Sequence, residues 1–158
     1  NGGFNECLLA YVVDSNKKVI NVTDGEGRIV ARSIIKLTNQ RDKDDPESIT
    51  QRKTLFVEKP YSLLSSSEVY RAFMRVLLTK AQGLDASITF CKGFDEDILQ
   101  IFEEEALLFS YGMKKDRLDV FIPRSLNKYE YSDTFGGKIS WFDRYHEIEA
   151  VTFEKFKR

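Results

Sequence analysis

The chain has 158 residues, 42% of them hydrophobic and 31% charged, which is the composition of one ordinary globular domain with a core of its own. Its 24 basic and 25 acidic residues leave a formal charge of −1, which argues against a general nucleic-acid binder held by a basic excess over phosphate and leaves room only for a local basic patch. Apolar runs such as residues 106–109 are far too short to span a bilayer.

The chain opens Asn1-Gly2-Gly3 without an initiator Met, which reads as a domain excised from a larger protein or a processed product. Its two cysteines, Cys7 and Cys91, stand far apart, in no C-x-x-C arrangement. Two separate free thiols suit a reducing compartment, so a cytoplasmic setting is expected. One histidine and two distant cysteines do not build a structural zinc site, and no metal site is expected.

Residues 7–13 form a continuous apolar run that reads as a buried strand or a short helix. A polar turn at residues 15–18 leads into a strand over 19–23. Asp24-Gly25-Glu26-Gly27 is a turn signal, because Asp-Gly supplies the positive φ that a tight hairpin needs. The partner strand covers 28–38, with Ile29, Ala31, Ser33, Ile35 and Leu37 on one face. Residues 39–52 are the most polar stretch and read as a surface loop.

The segment from Lys53 to Cys91 is the most informative: strand 54–57, a helix between Ser66 and Gln82, then strand 86–90. A helical crossover of this kind joins two parallel neighbours in one sheet. Ser65 with Glu68 fits a capping box, Val69, Phe73, Val76, Leu77 and Ala81 form the buried stripe, and Gly83 supplies a left-handed stop. Asp95, Glu96 and Asp97 open a second helix, where the helix dipole favours negative charge. Ile98, Ile101, Phe102 and Ala106 make its apolar face, Glu103-Glu104-Glu105 an exposed one, and Gly112 ends the region. A strand follows over 118–122, then a loop over 125–138. Segments 138–142 and 147–153 are expected to pair as a final hairpin.

The fold class is therefore α/β in the α+β sense. It consists of a single mixed, mostly antiparallel sheet with two principal helices in a single globular domain.

From Val19 to about Ile122 this order resembles the core of the GNAT acyltransferase fold. There a hairpin leads into a strand, then a helix whose N-terminus receives the cofactor pyrophosphate, then a strand and a second helix. Leu108-Phe109-Ser110-Tyr111-Gly112-Met113 looks like that family's late Tyr-x-x-Gly-Phe region. The resemblance implies acyl-coenzyme A as cofactor, with Ser65, Ser66 and Ser67 at its pyrophosphate. It also implies Glu58 as a base and Tyr111 as proton donor to the leaving thiolate. The family's glycine-bearing pyrophosphate loop is not present; Tyr61-Ser62-Leu63-Leu64 stands in its place.

Two other readings rest on different residues. Cys7 and the single histidine, His146, lie early and late in the chain, the order seen in papain-like cysteine hydrolases. The loop carrying Tyr129, Tyr131 and Asp133, followed by Trp141, has the composition of a recognition surface for a protein or small-molecule ligand. The leading expectation is a ligand- or protein-binding module on a GNAT-like core. An acyl-coenzyme A-dependent N-acyltransferase and a Cys7/His146 hydrolase are the alternatives.

Overall fold

The computed structural model describes residues 17–42, 52–64, 66–91, 94–122 and 144–156. In chain order they form β1 (Lys17–Thr23), β2 (Ile29–Asp42), β3 (Arg52–Val57), β4 (Tyr61–Ser62), α1 (Ser67–Leu84), β5 (Ser87–Cys91), α2 (Glu96–Leu108), β6 (Tyr111–Ile122) and β7 (Arg144–Lys155). The described strands make one seven-stranded mixed sheet in the order β1-β2-β3-β5-β7-β6, with β4 beside β2. The expected α+β class with two principal helices is the one observed.

The β1–β2 hairpin forms at the predicted turn. Asp24 Oδ1 accepts from the N–H groups of Glu26 and Arg28 at 3.0 and 2.9 Å, and Gly27 takes a φ of 80°. The crossover forms as well. Leu55 pairs with Ile88 and Phe56 with Thr89 in parallel register, the one parallel pairing among the described strands.

Helix α1 lays Val69, Phe73, Met74, Leu77, Leu78 and Ala81 on the sheet, and α2 adds Leu99, Phe102 and Ala106. These side chains meet Leu55, Val57, Ile88, Phe90, Val151 and Phe153 in the main core. Phe90 is its centre, stacked on Phe102 at 5.2 Å and edge-on to Phe94 and Phe153 at 5.1 and 6.0 Å.

Several local expectations need correction. Val76 is exposed, because the inward stripe of α1 runs through Met74 and Leu78 instead. In α2 Leu99 is buried, whereas Ile98 and Ile101 are only half-buried. The left-handed residue after α1 is Asp85 (φ 50°), not Gly83, which lies inside the helix. Asparagine and aspartate reach that region because their short polar side chains bond locally. Gly112 belongs to β6, where a Cβ would stand 2.7 Å from the Phe156 ring, so close approach rather than a turn explains it. The partners of β7 are β5 and β6, both antiparallel. Segment 138–142, expected to pair with it, lies outside the described residues, as do residues 7–14 and the loop 43–51.

The sheet also curls on itself. Gln40 of β2 pairs with Arg52 of β3 on one edge and with Val120 of β6 on the other. The pairings therefore run in a closed circuit, β2–β3–β5–β7–β6–β2. Closure turns the face away from the helices into an interior, which side chains must fill. Phe56, Leu118, Val120, Ile148 and Ala150 fill part of it. Thr54, Thr89 and Gln40, all fully buried, fill the rest as a hydrogen-bonded chain. Thr89 Oγ1 donates to Gln40 Oε1 at 2.8 Å and lies 2.8 Å from Thr54 Oγ1. Hence Lys36, Thr38 and Gln40, on the opposite face of β2 from Ala31, Ser33 and Ile35, are buried as well.

Candidate functional site

The site is built at the C-terminal end of β3, where the ladder with β2 slips. Ile35 pairs with Val57, and the next pairing is Arg32 with Tyr61. Between them Ser33 and Ile34 face Glu58, Lys59 and Pro60, so the β3–β4 segment carries one extra residue, a β-bulge. Pro60 explains why it forms there, since proline has no N–H to give to a ladder.

The bulge fixes Glu58. Its N–H donates to the Ile34 carbonyl at 3.0 Å, and its own carbonyl accepts from the Ser33 hydroxyl at 2.6 Å. Its carboxylate faces Lys36 of β2, with Oε1 3.2 Å from Nζ. The two side chains are only 13% and 5% exposed, so the pair is nearly sealed from solvent. A buried charge is tolerated only where it is compensated, and these two opposite charges help to compensate each other.

Beyond the bulge, the Leu63 N–H donates to the Val30 carbonyl at 2.9 Å and brings the chain to α1. Val69, in the first turn of α1, packs on Val30 and Ala31. That places the helix N-terminus roughly 10 Å along β2 from Glu58, three residues at strand rise. Ser66 is the N-cap and Ser67 the first helical residue. The expected capping box rests on Ser65, which lies outside the described residues. With Ser66 as cap, Glu68 sits one position too early to reach back, and Ser66 makes no side-chain cap bond. The Ser66 carbonyl accepts from the Val69 and Tyr70 N–H groups at 3.1 and 3.4 Å. Tyr61, Leu63 and Leu64 line the approach and are 63%, 84% and 48% exposed. Among the described residues no side chain caps this helix N-terminus, and such an end with two serines suits an anion.

Tyr111 stands elsewhere. It is buried on the helix-covered face, and its hydroxyl donates to the Ala86 carbonyl at 3.1 Å. Burial, with the charge of Asp85 added, pushes its pKa up. Ala86 precedes Ser87, which pairs with Thr54, so Glu58 lies roughly 15 Å away along β3 and on the other face of the sheet. The structure thus brings Glu58, Ser66 and Ser67 to one end of the sheet, Glu58 on the face away from α1, and leaves Tyr111 at the other end. His146 stands opposite Val120 in β7. Cys7, Ser65, Tyr129, Tyr131, Asp133 and Trp141 lie outside the described residues.

Sequence reading missed Lys36, which stands in the strand like any outward-facing lysine. It also missed Glu105, expected on an exposed face but 1% exposed between the helices. Glu105 Oε2 accepts from Arg75 Nε at 2.7 Å, and Oε1 accepts from Arg75 Nη2 and Arg71 Nη1 at 3.1 and 3.0 Å. The bond from Arg75 is the largest cause holding its carboxyl below the usual carboxylate range, against the opposing effect of burial. Arg71 and Arg75, four apart on the facing helix, were the available sign.

No protein-family model and no curated protein matches the chain. Two solved structures of the BH1408 protein from Bacillus halodurans are similar to it. A tetramutant shares 17% identity over 57% of each chain with a TM-score of 0.45. A point mutant shares 21% over 63% of each chain with a TM-score of 0.43. The chain therefore spans less than two thirds of those proteins. No helix among the described residues is long and apolar enough to cross a membrane.

Proposed function

We propose that this domain is a ligand-binding module on a GNAT-like core, with its ligand at the bulged end of β3 beside the first turn of α1. One observation carries the reading. The bulge at Glu58–Pro60 and a helix start with no side-chain cap converge beyond the C-terminal ends of a parallel strand pair. A helix N-terminus beyond the end of a strand is a place where anions bind. Ser66, Ser67 and the first-turn N–H groups have the chemistry to hold a pyrophosphate. Leu63 and Leu64, where glycines would leave the backbone open, favour an apolar neighbour at the same site. The recognition loop around Tyr129, Tyr131, Asp133 and Trp141 and a cytoplasmic setting remain part of this reading.

Coenzyme A tests it. Thermal unfolding should shift upward with the logarithm of coenzyme A concentration once the ligand exceeds its dissociation constant. A melting temperature unmoved at high excess refutes the reading.

Glu58 favours acyl transfer from acyl-coenzyme A as a second reading. Its carboxylate, at the end of β3 and 3.2 Å from the Lys36 ammonium, is the acid–base group that this reading calls for. Tyr111 has no part in it, since its hydroxyl is committed to Ala86 at the far end of the sheet. Thiol release from acetyl-coenzyme A in the presence of a primary amine, lost in Glu58→Gln, is the expected result. Equal release from both proteins excludes Glu58 as the base.

A further inference from the structure

We propose that the β1–β2–β4 corner of the sheet, on the face turned away from the helices, is a platform for single-stranded nucleic acid, with one base stacked on Tyr61 and an adjoining phosphate on Arg32. The inference goes beyond the coenzyme A reading and does not depend on it. Asn21 pairs with Arg32 and Arg32 with Tyr61, so the three form one row across three strands. Their chain neighbours Ile20 and Ala31 are buried on the helix side, and alternation turns the row the other way. All three residues are exposed, Tyr61 by 63%.

Charge points to an anion. Among the described arginine side chains, Arg28, Arg52, Arg71, Arg75 and Arg117 each meet a carboxylate. Arg32 forms no ion pair and no side-chain hydrogen bond among the described residues. The carboxylate on its face, Glu58, stands 3.2 Å from Lys36 and is compensated without it. Directly opposite strand residues lie about 5 Å apart, so the guanidinium stands beside the ring at roughly the step from a base to its phosphate. On the other flank the Asn21 amide offers a donor and an acceptor to a base edge. Openness decides between a free nucleotide and a strand. Small-molecule sites are concave, whereas this row lies open across about 10 Å of sheet. Open sheet faces that combine a ring with a cation suit single strands, whose bases are free to stack.

The test is fluorescence anisotropy of a labelled oligoadenylate RNA of about eight nucleotides against wild type, Tyr61→Ala, Tyr61→Phe and Arg32→Gln. Wild type should bind saturably, Tyr61→Ala about tenfold more weakly, and Tyr61→Phe, which keeps the ring, as wild type does. With a formal charge of −1 the chain offers phosphate little beyond this guanidinium, so affinity should depend only weakly on salt. Arg32→Gln should weaken binding and flatten the slope of log affinity against log salt by about 0.7, the share of one phosphate. An abasic strand of the same length and a duplex should each bind at least about tenfold more weakly than the oligoadenylate. If Tyr61→Ala unfolds, Tyr61→Leu, apolar but without a ring, gives the same comparison. No saturable binding by wild type overturns the proposal. So does wild-type affinity in both Tyr61→Ala and Arg32→Gln, or an abasic strand held as tightly as the oligoadenylate. A phosphotyrosine peptide that binds through Arg32 where the oligoadenylate does not would assign the row to protein recognition and overturn it too.

Discussion

Removing the Glu105 carboxylate should destabilise the domain more than any other single charge change on the two helices. Glu105 receives three charge-assisted bonds, two from Arg75 and one from Arg71, at 2.7, 3.1 and 3.0 Å. Bonds of this type contribute about 1.5–3 kcal/mol each when both partners are dry. Here the Arg71 and Arg75 side chains are 29% and 56% exposed, so water takes over part of what Glu105 gives up. The net expectation for Glu105→Ala is about 2–3 kcal/mol, and roughly half that for Glu105→Gln, which keeps one acceptor. In a domain of this size that lowers the melting temperature by about 5–10 °C. Urea unfolding gives the free energy, and a cycle with Arg75→Ala isolates the coupling. The pH dependence has a definite sign. The folded carboxyl is held below its unfolded value, so the contribution is complete above the unfolded pKa and lost as pH falls through the folded one. The gap between wild type and Glu105→Gln should therefore be constant above about pH 5 and narrow below it. A Glu105→Ala cost under about 0.5 kcal/mol, or a gap that widens in acid, refutes the clamp.

Two further substitutions check other parts of the structure. Gly112→Ala places a Cβ 2.7 Å from the Phe156 ring, which is half-exposed and free to swing, so the expected cost is about 1 kcal/mol or less. The cost should vanish in a Phe156→Ala background; if it persists, the ring is not the obstacle. Tyr111→Phe should lose about 1 kcal/mol from the bond to Ala86 and leave coenzyme A affinity unchanged. The raised pKa of Tyr111 means that its contribution holds below the unfolded tyrosine value and is lost as pH rises toward the folded one. The wild-type advantage over Tyr111→Phe should accordingly shrink above about pH 10, and a constant advantage there contradicts the burial of the hydroxyl.

What could be read from sequence was local or periodic. The hairpin at Asp24-Gly25 and the amphipathic stripe through Val69, Phe73 and Leu77 each announce themselves within a few residues. With the strand on either side, the stripe fixes the crossover and hence the parallel pair. The bulge was half-announced, because Pro60 interrupts an otherwise strand-like run. What could not be read depends on meetings between distant segments. Glu103-Glu104-Glu105 carries no mark of which glutamate turns inward; only the approach of α1 with Arg71 and Arg75 decides it. Lys36 looks like any outward lysine until β6 reaches β2 and the outer face becomes an interior. The Glu58 partner likewise follows from a register that no single strand contains.

That closure has a test of its own, through the threonine and glutamine chain it encloses. Thr89→Val preserves shape but removes the hydroxyl that donates to Gln40 Oε1 at 2.8 Å. In an open sheet water would replace the lost donor, and the substitution would cost only a few tenths of a kcal/mol. In a closed ring the Gln40 oxygen keeps no such replacement, and the penalty for a buried acceptor left short is about 1–3 kcal/mol. Removing both polar partners should be cheaper than removing one. Gln40→Leu in the Thr89→Val background eliminates the stranded acceptor and should recover part of the stability, although Gln40 Nε2 also donates to Glu154 at 3.4 Å. A Thr89→Val protein as stable as wild type, with no recovery on adding Gln40→Leu, would mean that water enters between β2 and β6. The dry surroundings assigned to Lys36 and Glu58, which depend on the same enclosure, would then no longer hold.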